Sequence, residues 1–264
     1  MEALILYLIV SLFGLIVGSF LNVCIYRIPR GLSIIIPSSR CPSCNTPIKP
    51  WDNIPIVSYI LLGGKCRFCQ AKISFRYPLV ELLNAIMYAL ILWRFDFGWH
   101  TVIYFVFSSS LIVITFIDLD FQIIPDKITL SGIPIGFLVG SFLLPDPFAR
   151  SSLLGMKESL IGMATGFGLF YLVALIGSAI FKKEALGGGD VKMMAMVGAL
   201  MGWKTVLLTT FLGSLTGSIV GVLLMVLKGK DRKAQLPFGP FLALGTIITL
   251  FYGQEILSWY LGGR

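Results

Sequence analysis

The sequence predicts an all-α polytopic membrane protein of about eight transmembrane helices with a zinc-stapled cytoplasmic loop. Three observations carry that prediction. Of the 264 residues, 56% are hydrophobic and only 13% charged, and the mean hydropathy is +0.89. Apolar stretches long enough for the ~30 Å hydrocarbon layer recur along the chain. The single polar region of any size, 27–77, carries two cysteine pairs.

The apolar runs place spans at about 3–26, 78–95, 101–117, 128–145, 158–181, 191–203, 204–227 and 237–262. The sixth is short and borders the seventh directly, so seven spans is the alternative count. The first run lacks a basic leader, carries Glu2 and is followed by Arg27 and Arg30, so it reads as a retained helix and not a cleaved signal. The organisation expected is therefore a first helix (1–26), a cytoplasmic loop (27–77) and a membrane core (78–264).

Charge sets the orientation. With the N-terminus outside, the loops 27–77, 118–127, 182–190 and 228–236 are cytoplasmic. Of 21 basic residues, only Arg94, Arg150, Lys157, Lys204 and Arg264 then fall on the outer side. Such an excess of Lys and Arg inside is the usual topological bias. Topology alone thus accounts for the net charge of +8, and the partner it implies is a lipid bilayer, with no nucleic acid required.

In the loop, CPSC (Cys41, Cys44) and CRFC (Cys66, Cys69) are separated by 21 residues, just beyond the usual four-cysteine zinc spacing. Each short knuckle can hold two thiolates at ~2.3 Å from one tetrahedral ion. Lys65 and Arg67 flank Cys66 and are expected to favour its thiolate. A segment this small needs such a staple, and with no open ligand position the site is structural. Cys24 is expected to be a packed helix cysteine.

His100 is the only histidine and falls on the outer side, which excludes a histidine triad on the cytoplasmic face. Carboxylates remain. Asp52 and Asp231 are expected to be solvated, Glu184 to pair with Lys182 and Lys183, and Asp126 to cap the helix opening with KIT. Glu81 lies one turn into a span, where a helix-end salt bridge and a functional role are both open. Asp118 ends the run LIVITFI at the hydrocarbon boundary. Asp120 is about 200° further round the helix. Residues 186–192, LGGGDVK, fit neither a P-loop nor a dinucleotide fingerprint. Gly187, Gly188 and Gly189 are expected either to break a helix or to unwind the chain and leave room for a substrate backbone beside Asp190. Asp118 and Asp190 would then face each other from two spans on one membrane side, and such a pair can share a proton and hydrolyse a peptide without metal.

Six blocks in order, GSFLNVCIYRIPRG (18–31), CPSC with CRFC, SFRYPLVELL (74–83), FIDLDFQIIPDKITL (116–130), GGGDVK (187–192) and LPFGPFLALG (236–245), resemble the bacterial type IV prepilin peptidases and their type II secretion counterparts. The resemblance implies that Asp190 is the aspartate of a GxGD motif and Asp118 its catalytic partner. It implies a leader peptidase of the inner membrane, working at the cytoplasmic face on prepilins or pseudopilins and cutting after a glycine. It also implies N-methylation of the new N-terminus with S-adenosylmethionine, for which no residue is assigned from the sequence.

Overall fold

A computed structural model describes residues 2–182, 186–228 and 236–262, with the side chains of 150, 151, 181 and 228 excepted. Glu184, Asp231 and the basic positions 183, 230, 232 and 233 lie outside the described residues. Eight helices carry the fold: α1 (Glu2–Arg27), α2 (Val57–Leu61), α3 (Arg76–Phe95), α4 (Trp99–Phe121), α5 (Asp126–Phe142), α6 (Gly155–Phe181), α7 (Gly188–Lys228) and α8 (Gly239–Tyr260). A two-stranded hairpin, β1 (Pro145–Asp146) with β2 (Ala149–Leu153), joins α5 to α6. No strand was expected there. Asp146 accepts the Phe148 N–H at 2.8 Å, the local turn that an aspartate before proline favours.

Among the described residues six helices, α1, α3, α4, α6, α7 and α8, are long and apolar enough to cross a membrane. The chain is a multi-pass membrane protein. The count of eight spans is not confirmed. Helix α5 has 17 residues with Pro134 inside it, and the expected sixth and seventh spans share α7, which breaks at Gly202 (φ 81°, ψ 171°). The break is sharp. Val206 comes within 2.9 Å of where a Cβ on Gly198 would stand, although eight residues of straight helix span about 12 Å.

The chain divides into two compact units, Met1–Val113 and Ile114–Arg264. In the first, α1 turns Val10, Gly14, Gly18, Leu21, Asn22 and Ile25 inward and leaves Leu4, Ile5, Leu8, Leu12 and Ile16 exposed. Gly14, Gly18 and Asn22 on the inner face, with large apolar side chains turned outward, follow the pattern of helices packed in lipid. A Cβ on Gly18 would lie 2.6 Å from Glu81 Cα, and one on Gly14 would lie 2.7 Å from Ala85 Cα, so α1 and α3 run nearly in backbone contact. Asn84 donates to the Gly14 carbonyl at 2.8 Å and accepts from Ser109 at 2.9 Å. Tyr88 stacks on Phe105 with ring centroids 4.1 Å apart.

In the second unit the first limb of α7, residues 188–201, is buried from Asp190 onward except at Lys192. It is wedged between α5 and α6. Gly136 and Gly140 of α5 face the backbone of Met196, Ala199 and Leu200, and Gly162 and Gly166 of α6 face that of Gly198 and Met194. A side chain at Gly162 would collide with the Gly198 carbonyl. The second limb packs on α8 through Gly213 and Gly217 against Phe241 and Leu242.

Candidate functional sites

In the second unit, the end of α4, the following turn and the starts of α7 and α8 converge. Helix α4 closes with the Gln122 N–H donating to the Asp118 carbonyl at 2.9 Å, Gln122 taking a positive φ of 54°. The chain then passes Ile124 and Pro125 into α5. Asp118 is only 5% exposed and Asp190 8%, whereas Asp120 is exposed, as its position round the helix requires.

Each carboxylate has a different environment. The Gly239 N–H, in the first turn of α8, donates to Asp118 Oδ2 at 2.9 Å. A Cβ on Gly239 would stand 2.7 Å from the same oxygen, so only glycine lets the α8 backbone approach so closely. Asp190 Oδ1 is buried without a hydrogen-bond partner, and Asp118 lies near enough for the two charges to act on each other. An orphaned buried carboxylate oxygen is costly in a membrane-embedded protein and marks a site with work to do. Two carboxylates so arranged can hold one proton between them and serve as acid and base in turn.

The three glycines divide by role. Gly188 and Gly189 do not unwind the chain; they are the first helical residues of α7, and only Gly187 stands outside it. The Asp190 N–H donates to the Gly187 carbonyl at 3.1 Å. A Cβ on Gly188 would meet nothing within 4 Å, whereas one on Gly189 would sit 2.7 Å from Ile124 Cβ. Gly189 thus seats α7 against the turn that follows Asp118. Asp126 is not a cap: it occupies the first residue of α5 without a side-chain capping bond. It pairs with Lys192 at 2.7 Å, tying the same two motifs together at the surface. Two features were missed in the sequence reading, Gly239 and the Asp126–Lys192 pair. Their signal was the adjacency of LPFGPF and GGGDVK to helix starts.

The loop of the first unit is built on a repeated plan. In each knuckle the first cysteine's N–H bonds a carbonyl five residues on, Thr46 at 3.0 Å and Ala71 at 2.9 Å. The residue after the second cysteine, Asn45 or Gln70, adopts positive φ and returns its N–H to the first cysteine's carbonyl. Single bridges, Arg40 to Pro47 and Lys65 to Lys72, close the two turns. All four sulfurs of Cys41, Cys44, Cys66 and Cys69 lie within 4.8 Å of one another, and Cys41 and Cys69 are 3.8 Å apart. Tetrahedral thiolates at ~2.3 Å from an ion stand about 3.8 Å apart, so the cluster fits a metal such as zinc.

The Cys66 thiol is lowered as expected, but by hydrogen bonds and not by its basic neighbours. Hydrogen bonds from the Thr46 side chain and then its backbone pull the Cys44 thiol down to about 6. Backbone N–H groups of Cys69 and Phe68 hold Cys66 below the usual thiol range. Arg67 is instead spent on Asp52, which it grips with Nε and Nη2 at 2.6–3.0 Å. Asp52 is therefore not solvated, and Arg67 lowers its pKa.

Residues 12–95 match the bacterial peptidase A24 N-terminal domain and residues 105–222 the type IV leader peptidase family. The chain belongs to that family. It is 36% identical to a prepilin leader peptidase/N-methyltransferase of Pseudomonas aeruginosa over 95% of this chain and 91% of that one. Similar relatives of the same name come from Aeromonas salmonicida, at 35% identity over 96% and 93%, and Neisseria gonorrhoeae, at 34% over 95% and 93%. No solved structure matches the chain.

Two outcomes are expected of these sites. Gly189→Val forces Ile124 aside and shifts the turn after Asp118, lowering peptide cleavage severalfold or more, whereas Gly188→Ala meets no protein atom, leaves that turn in place and costs cleavage far less. Rates on a purified substrate check this. Asp52→Asn weakens the loop at neutral pH, read as faster proteolysis between 27 and 77. Because the folded Asp52 pKa is depressed, its stabilisation is full above the unfolded value of about 3.9 and fades as pH falls through the folded value. Parent and variant therefore converge in strong acid, and a constant difference there disproves the pairing.

Proposed function

We infer that the protein is a prepilin leader peptidase that also N-methylates the N-terminus it creates. What carries the reading is the pair of buried carboxylates, one oxygen of which has no partner, at the meeting of three helix ends in a chain of the type IV leader peptidase family. Asp118 and Asp190 are the proposed dyad. Ionised, one carboxylate takes a proton from the attacking water, while the other donates its proton to the scissile carbonyl. Both protons are then redistributed as the tetrahedral intermediate collapses and the new amine leaves. The Gly239 N–H holds one Asp118 oxygen in place through the cycle. The open face at Gly188 suits an extended peptide lying beside Asp190, with Gly187 and Gly189 shaping the turn around it.

The substrates proposed are type IV prepilins and type II secretion pseudopilins, whose short basic leaders end at a glycine. The protein sits in the bacterial inner membrane, with the dyad and the cysteine loop at the cytoplasmic face as the distribution of basic residues favours. S-adenosylmethionine is the proposed methyl donor and supplies an electrophilic methyl group to the free amine. Zinc is the proposed occupant of the cysteine cluster. The residues fit it, since four thiolates on two knuckles leave no open position for catalysis and staple a loop with little core of its own.

The mass of a purified prepilin after incubation tests the dyad. Asp118→Asn and Asp190→Asn are each expected to abolish leader loss, and Asp120→Asn to retain it. The parent protein should give a bell-shaped pH–rate profile, since the pair titrates as a unit. Leader loss at the parent rate with either Asn variant would overturn the mechanism. For the metal, elemental analysis should find about one zinc per chain, and any of Cys41, Cys44, Cys66 or Cys69→Ser should lower it and expose the loop to protease. Unchanged zinc in all four variants rules the site out.

A further inference from the structure

The first unit holds a cavity of about 700 Å³, in the range of cofactor sites. Its walls are α1, α3 and the cysteine loop, and it is lined by Ser19, Asn22 and Tyr26, by Phe68, and by Tyr77 and Glu81. Glu81 is 7% exposed. Its Oε2 accepts the Ile56 N–H at 2.8 Å, and the Ser19 hydroxyl bonds the same carboxylate. The helix-end salt bridge open to it from the sequence does not form, for no basic side chain pairs with it among the described residues. Asn22 is turned away to the Tyr77 carbonyl at 3.1 Å. A buried carboxylate facing a large cavity with two neutral donors and no cation is electrostatically incomplete. Of the basic lining residues, Arg67 is paired with Asp52, Arg27 is bonded to the Ser33 and Pro37 carbonyls, and Arg40 and Lys72 are exposed. The cavity therefore presents basic groups at its exposed part and the Glu81 carboxylate at its buried part, and aromatic rings are among its lining residues.

That polarity suits a zwitterionic ligand with a cationic group to bury, an anionic group to leave near solvent and a flat ring to stack. We propose that this cavity binds S-adenosylmethionine, with Glu81 facing its cationic ammonium–sulfonium end; the proposal rests on the N-methylation reading above. Glu81 was a carboxylate whose role the sequence left open, and the peptidase dyad makes no use of it. Gly18 is the device that admits it, because any side chain there would push α3 away and move Glu81 off Ser19.

The test measures binding of S-adenosylmethionine to the purified full-length protein by equilibrium dialysis, without prepilin. Glu81→Gln keeps an oxygen for the Ile56 N–H and removes only the charge. It should weaken donor binding by about tenfold or more, as the loss of a charge-assisted contact does. Val23→Trp narrows the cavity from α1 without touching the carboxylate, and should weaken binding as strongly. Metal content and leader removal report folding in both. Donor affinity within twofold of the parent in either variant that keeps its metal overturns the proposal. So does a Glu81→Gln protein that loses affinity for a processed pilin N-terminal peptide and not for the donor, because the anion would then serve the acceptor amine. Failure of the parent to remove leaders would count against the peptidase reading alone, since donor binding is read without prepilin.

Discussion

A carboxylate at the edge of a hydrocarbon layer must find a hydrogen-bond donor or a charge, because neither water nor lipid will stabilise it there. Much of the architecture follows from meeting that demand for Asp118 and only half meeting it for Asp190. The donor for Asp118 is a backbone N–H, which requires α8 to start at that spot and to carry glycine. The start of α7 must come equally close from another direction, and Gly189 against Ile124 makes this possible. Large side chains at either position would separate the helices and leave both acids exposed to lipid or water. At Gly189 and Gly239 glycine is a spacing device that lets helices touch.

The same demand is met differently in the first unit. Glu81 is served by the Ile56 amide and the Ser19 hydroxyl, so a helix from the membrane and a turn from the polar loop share one acid. Ile56 carries a positive φ of 58°, an unusual conformation for a β-branched residue, and its amide is directed at the carboxylate. The cysteine loop is therefore joined to its supporting helices by a specific polar contact as well as by chain connection.

Much of this was legible in the sequence. Apolar run lengths located the long helices, and the spacing CPSC to CRFC anticipated the twin knuckles with all four sulfurs together. The burial of Asp118 and exposure of Asp120 followed from helical geometry. What was not legible depends on pairings between distant segments. The glycines at 132, 136 and 140, and those at 162 and 166, recur every four residues, but their meaning rests on meeting the first limb of α7. Arg67 looked like a neighbour of Cys66 because it is one in sequence; across space its partner is Asp52. Asp126 had the look of a cap because it follows proline, and the lysine that claims it is 66 positions away.

The break at Gly202 has a consequence for how such a chain sits in its membrane. The limb before it, 188–201, rises only about 21 Å, less than the ~30 Å of hydrocarbon it would have to cross alone. Its last carbonyls are freed at the break, and at least one of them, that of Ala199, is taken by the Ser159 hydroxyl of α6 at 2.5 Å. The limb's hydrogen bonding is thus completed by α6 beside it. What holds this limb at its depth is contact with protein, since its own length falls short of the hydrocarbon and its freed carbonyl is met by a neighbouring helix.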